Sequence, residues 1–284
     1  MKRIKYLIIL SMLPVAFCFG EIIETNSVEQ VRQYVLPTAL VLFNVNGTLY
    51  APVATLSDKR WRDYFADRVK ALISDASGTR LVNRVTSTIV SQVPKEPVEE
   101  GASNFIAELQ AKRIPVFAVT EKEMSTPFAK NFAGVTSKHL KDLGIDFEKT
   151  FIYFKVPVQG KFSQYGFVYG ILFANGHPIG QAVSTFVKDN AKFSRVVMID
   201  DSRKSLEAVN AALAGSNIEF IGLRYGHNDQ MRDQFDPVLG IIELFALLEE
   251  NRLMTDDEAQ QMKDNQGAEF YHQKLDAYIR KHSI

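Results

Sequence analysis

The sequence is poorest in cysteine. Its 284 residues hold one, Cys18, and that one lies among the first twenty. A single thiol forms no internal disulfide, so burial and hydrogen bonding must hold the fold together. Neither sign of charge is in excess, because 33 Lys and Arg balance 33 Asp and Glu. That balance argues against nucleic acid or an anionic membrane surface as partner, since both favour a basic excess. No apolar run reaches the roughly 18 residues of a membrane-crossing helix. A Walker loop, a G-x-S-x-G elbow and zinc-ligand spacings are missing too, and no internal repeat or low-complexity linker is visible. What remains is an ordinary globular composition, 46% hydrophobic and 23% charged. The length suits one large domain, or a core domain with an insertion.

The first twenty residues read as an export signal. Lys2, Arg3 and Lys5 precede a short apolar stretch, Tyr6 to Phe19, which contains Pro14 and is followed by the small Gly20. Phe17 stands where a lipoprotein would carry a small residue before Cys18, so lipidation is not expected. Cleavage after Gly20 would leave 30 basic against 33 acidic residues and no cysteine. The expectation is an exported protein, periplasmic or extracellular, with no stable membrane insertion once residues 1–20 are gone.

Strand-like runs then alternate with helical patterns. Residues 39–45, 114–120, 151–154, 195–201 and 218–225 are short, continuous and rich in Val, Ile and Phe. Such runs suit strands buried on both faces. Segments 98–112, 123–143, 181–192 and 202–214 carry apolar residues at helical spacing. This order predicts an α/β fold, a doubly wound and mainly parallel sheet with ligands at the carboxyl ends of the strands. Residues 21–50 and 98–250 would form that core, and the mostly helical 51–97 would be a cap inserted over the strand ends. Residues 155–180 alternate and contain Asn175-Gly176, which predicts a β-hairpin projecting near the same mouth. Thr255-Asp256-Asp257-Glu258 is a capping box that opens a helical extension over 251–284.

Three strand ends carry the candidate chemistry. The first closes on Asn44-Val45-Asn46-Gly47-Thr48-Leu49, the second on Thr120 and the fourth on Asp200-Asp201. An apolar strand ending in D-x-D-G-T-L, another ending in Ser or Thr and a later one ending in D-D is the layout of the haloacid-dehalogenase-like (HAD) superfamily. The sequence resembles that superfamily over about residues 39–225. The resemblance implies a nucleophile at position 44 and a general acid and base at 46. It implies phosphoryl binding by Gly47, Thr48 and Thr120, and a Mg²⁺ ion held by Asp200 and Asp201. It also implies a lysine about twenty residues before the acidic pair, where the chain has Ile179; Lys188 and Lys192 are the alternatives closer by.

The departures are chemical. A carboxylate attacks phosphorus because it is anionic and presents a lone pair in line, and the Asn44 amide is neutral. Proton transfer needs a group that titrates near working pH, and the Asn46 amide does not. Mg²⁺ favours carboxylate oxygens, so with one anionic ligand gone any Mg²⁺ held here is held weakly. The bland readings are that Asn44 and Asn46 form a turn, that Thr120 caps a helix and that Asp200-Asp201 is an N-cap cluster. Trp61, Tyr64 and Phe65 read as packing, and His139, His177, His227 and His272 show no ligand spacing. Two functions follow. One is a catalytically inactive module that binds a phosphorylated small molecule or a protein partner. The other is a Mg²⁺-dependent periplasmic or secreted phosphatase, resembling an acid phosphatase.

Overall fold

A computed structural model describes residues 20–125, 129–155, 160–190, 193–227, 229 and 235–282. The expected signal segment before Gly20 lies outside them. Strands and helices are numbered here in chain order. β2 (Ala39–Asn44) is buried at all six positions. Val41 and Phe43 point to one face of the sheet, with Val116 and Ala118 of β5 (Val116–Thr120) and Val197 and Ile199 of β9 (Arg195–Asp200). Leu40 and Leu42 point to the other, with Phe117, Val119, Val196 and Met198. Side chains alternate along a strand, so a continuous apolar run needs cover on both faces. α3 (Ala102–Ala111) and α4 (Phe132–Asp142) cover the first face, and α5 (Ile179–Asp189) and α6 (Arg203–Leu213) the second. Each such side chain taken from water contributes about 1.5–3 kcal/mol, before the opposing chain entropy.

The sheet has eight strands among the described residues. β1 (Glu21–Thr25), β10 (Glu219–Tyr225), β9, β2, β5 and β8 (Ile171–Phe173) lie side by side in that order, all parallel. β7 (Gly166–Val168) and β6 (Gly160–Lys161) continue it antiparallel. The expected α/β class and mainly parallel sheet are therefore present. β1 is an addition: "EIIET" is too short and too polar to read as a strand, and it pairs along the edge offered by β10.

Residues 151–154 form no strand. Asp146 accepts from the Glu148 N–H and opens a 3-10 helix over Phe147–Ile152. Thr150 Oγ1 donates to the Val116 carbonyl and the Tyr153 hydroxyl to that of Ile114, so the segment lies across the start of β5. Its aromatics supply packing instead, Phe151 and Phe154 both lying against Phe117. The 155–180 hairpin does not project at the mouth. It extends the sheet beyond β5, and its turn is Tyr169-Gly170, with φ of 56° and 71°. Asn175-Gly176 also turns the chain, but from β8 into α5. The expected helix over 123–143 shortens to α4.

The insertion leaves and rejoins the core through a two-stranded stem, β3 (Tyr50–Pro52) against β4 (Lys95–Pro97). Between them run a 3-10 turn at Thr55–Ser57 and two helices, α1 (Lys59–Leu72) and α2 (Ala76–Gln92). They do not stand alone. α7 (Pro237–Glu250), α8 (Asp256–Gln266) and α9 (Ala268–Lys281) share one apolar cluster with them. Residues 237–250 thus pack with the insertion rather than with the sheet. Trp61 and Phe65 stack at 5.3 Å between centroids, and Trp61 Nε1 donates to the Pro237 carbonyl. Gly240 lets α7 approach, since a Cβ there would meet Trp61 Cδ1 at 2.1 Å. The capping box at Thr255 and Glu258 forms as read from the sequence.

Candidate functional site at the strand ends

β2 stops at Asn44 because the next residues turn to satisfy themselves. The Leu49 and Tyr50 N–H groups both donate to the Val45 carbonyl, and Gly47 N donates to the Tyr50 carbonyl. Gly47 takes φ of +82°, and a Cβ on it would lie 2.5 Å from Asp201 Oδ2. Two constraints, a left-handed backbone and a carboxylate at close quarters, therefore fall on one residue.

The side chains around this loop form one network. Asn44 is 8% exposed, and its Nδ2 donates at 2.8 Å to the Asn46 carbonyl and at 2.9 Å to Asp201 Oδ1. The opposite amide orientation would put three oxygens together with no proton among them. Thr48, fully buried, accepts at 3.2 Å from the Asp201 N–H through Oγ1. Asp200, also buried, accepts from the Ser202 N–H at 2.8 Å, while Ser202 itself caps α6. Thr120 is buried one residue past Val119, the register partner of Asn44, and its Oγ1 accepts from the Lys122 N–H at 3.4 Å. Asn44, Asn46, Gly47, Thr48 and Asp201 are thus drawn into contact, with Asp200 and Thr120 on the flanking strands.

The lysine question has a plain outcome. Ile179 is buried in the apolar cluster beneath the sheet, with Val183 and Leu206, so its side chain serves packing. Lys188 is exposed in the last turn of α5. Lys192 lies outside the described residues.

The Asn46 carbonyl and the Asp201 carboxylate, two of the oxygens that the resemblance implies for Mg²⁺, both accept from Asn44 Nδ2, and position 44 would offer the ion an amide in place of a carboxylate. Among the described residues no three His, Cys, Asp or Glu side chains are grouped to hold a metal.

Sequence reasoning missed a second group of residues. A pocket between the helical layer and the strand ends is lined by Asn46 and Tyr50 of the loop and by Arg62, Lys95, Lys122 and His139. Burial and the neighbouring Arg62 hold the Lys95 ammonium down to about 8. Burial, with Arg62, Lys95 and Lys59 adding to it against Asp63, lowers Lys122 to about 7. Burial lowers Arg62, opposed by Asp63 and Asp58, and burial with Lys95 lowers His139. Burial pushes the Tyr50 phenol up. Arg62, Lys95, Lys122 and the imidazole of His139 come from α1, β4, the segment after β5, and α4. No spacing rule links such positions, and only the folded insertion unites them.

A family model described as "Protein of unknown function (DUF2608)" matches residues 24–260, from within β1 into α8. The chain belongs to the DUF2608 family. Its relatives include an uncharacterized protein of Rickettsia bellii, 24% identical over 251 residues, which cover 79% of this chain and 84% of that one. Another, from Rickettsia conorii, is 23% identical over 259 residues, covering 81% and 85%. No solved structure matches the chain. The DUF2608 match spans both the sheet and α1–α2, so the loop and the cationic pocket both fall inside it. No described helix is long and apolar enough to cross a membrane.

Proposed function

We propose that this DUF2608 protein is an exported HAD-like frame whose phosphoryl-transfer loop is silent, and that the cleft beside the loop holds a ligand or partner without turning it over. The observation that carries the reading is the Asn44 amide. Its Nδ2 spans the Asn46 carbonyl and the Asp201 carboxylate, the two oxygens that the HAD resemblance would give to a metal. A neutral NH₂ group thus does locally what a cation would do, joining two acceptors, and it offers no nucleophile. The two-stranded stem leading into α1 and α2 supports reading that insertion as a cap.

The test is a hydrolysis assay on purified protein with p-nitrophenyl phosphate and millimolar Mg²⁺. The expected rate equals that of an Asp200→Ala variant. Mg²⁺-dependent turnover that disappears in Asp200→Ala would overturn the reading in favour of a Mg²⁺-dependent phosphatase.

A further inference from the structure

Arg62, Lys95 and Lys122 are brought together from three separate elements into one pocket, and among the described residues no carboxylate lines it. The acids nearest Arg62 in sequence have other partners: Asp58 pairs with Arg60 at 2.8 Å and Asp63 with Lys59 at 2.5 Å. Among the described residues Arg62 forms no ion pair, and its Nε is buried without a hydrogen-bond partner. Lys95 and Lys122 form no ion pair among the described residues either. Like charges crowded at reduced dielectric repel, and a buried N–H left unpaired carries its full desolvation cost. A fold that keeps such a cluster gains most when an anion enters it. The lining also offers the Tyr50 hydroxyl and Asn46 as neutral hydrogen-bonding groups.

We propose that this pocket binds a compact oxyanion carrying two negative charges, such as phosphate or the terminal group of a phosphomonoester, with the Arg62 fork, Lys95 and Lys122 as its cationic partners. A guanidinium matches two oxygens of such a group at once, and ammonium groups supply charge without fixed direction. Two charges fit better than one, because three cations converge and a monoanion would leave most of their repulsion in place. The proposal rests on reading the cleft as a binding site; it does not depend on the loop being silent. Burial first, and then Arg62, Lys95 and Lys59, hold the Lys122 ammonium below its ordinary value, with Asp63 opposing. An anion arriving beside it recharges it, so binding takes up protons just above neutral pH.

The experiment is calorimetric titration of the full chain with inorganic phosphate at pH 8 and low salt, run in two buffers of different ionisation enthalpy. Saturable binding is expected, with proton uptake and with affinity that falls as salt rises. Arg62→Gln and Lys122→Met should each weaken binding tenfold or more, and Lys188→Met on the exposed face of α5 should leave it unchanged. Malonate, a dianion with its charge split between two carboxylates, should compete more weakly than phosphate, because the three cations converge on one compact group. If Arg62→Gln does not fold, a rise in the unfolding temperature of unmodified protein with phosphate, smaller in Lys122→Met, supplies the same comparison. No saturable heat and no thermal shift in unmodified protein would overturn the proposal, as would folded variants with unchanged affinity. Phosphate binding together with phosphomonoester hydrolysis would keep this site and remove the silent loop. Neither binding nor hydrolysis would do the reverse.

Discussion

On one side of Asn46 the Asn44 amide, the Asn46 carbonyl, the Asp201 carboxylate and Thr48 satisfy one another within the protein. On the other, Arg62, Lys95 and Lys122 line a common pocket with no acid among its described lining residues. Asn46 borders both. The contrast separates two kinds of geometry. A network that is closed on itself holds a shape, whereas like charges held together at a cost in stability need something from outside to repay it. On the proposed reading the first is the silent loop and the second the binding site.

The sharpest way to break the contrast is to place at position 179 the lysine that the HAD resemblance implies. If residue 179 faced the loop, Ile179→Lys would set a cation beside it. Ile179 instead sits in the apolar cluster under the sheet. The expected outcome is a loss of stability on the order of 3 kcal/mol or more, because an unpaired ammonium is forced into a packed core. Urea unfolding measures it. An Ile179→Lys protein as stable as the parent would mean that the side chain reaches solvent or the loop.

The next largest effect is expected at the loop itself. Asn44→Asp removes two donated hydrogen bonds and sets a second carboxylate beside Asp201. Without metal this should cost about 1–3 kcal/mol. Millimolar Mg²⁺ should restore part of that loss in Asn44→Asp and leave the parent unmoved, read as unfolding temperature with and without the ion. A parent protein that Mg²⁺ stabilises equally would show that its amide yields to the cation.

The two sides also differ in how far the sequence reveals them. β2, β5, β9 and β10 are continuous apolar runs with buried faces on both sides, so their positions and the parallel sheet follow from pattern. The loop is legible because its residues lie consecutively at one strand end, and Thr120 and Asp200-Asp201 close neighbouring strands. The cationic pocket is not legible, because residues 62, 95, 122 and 139 share no periodicity. The aromatic run at 151–154 misleads since packing against Phe117, rather than sheet pairing, absorbs its side chains. Asn175-Gly176 marks a turn correctly, but turn chemistry does not say which elements the turn joins.

The cationic pocket gives a smaller, pH-dependent effect. Lys122 has a folded-state value of about 7, against 10.5 for the free side chain. Between those values the unfolded chain binds the extra proton, so this residue's contribution makes stability rise as pH climbs from about 7 towards 10.5. Lys122→Met should therefore stabilise most at or below neutral pH, with the gain shrinking at alkaline pH. Thermal unfolding of both proteins from pH 6 to 10 checks it. A gain that is constant with pH would show that Lys122 is not strained by its neighbours.

A further buried ionisable group, in the helical layer, shows how the fold satisfies such a group from within. Glu243, 2% exposed on α7, accepts from the Leu56 N–H at 2.6 Å, and its Oε1 meets no donor. Burial first, and then Asp256 alongside, raise it to about 9. Held as the neutral acid, it can donate from Oε1 to Asp256, which is lowered by that bond and by Thr55 although burial opposes it. One proton thus closes the contact internally, where the pocket would need an anion. The folded-state value lies above that of the free side chain, 4.5. This contribution is therefore fully present below about 4.5 and is lost as pH rises through about 9. Glu243→Gln keeps an acceptor for Leu56 and a donor for Asp256 without ionising. It should match the parent near pH 5 and exceed it by a few degrees in unfolding temperature near pH 8. Equal pH profiles for the two proteins would mean that Glu243 stays ionised inside the helical layer, and that buried charge here is tolerated rather than neutralised.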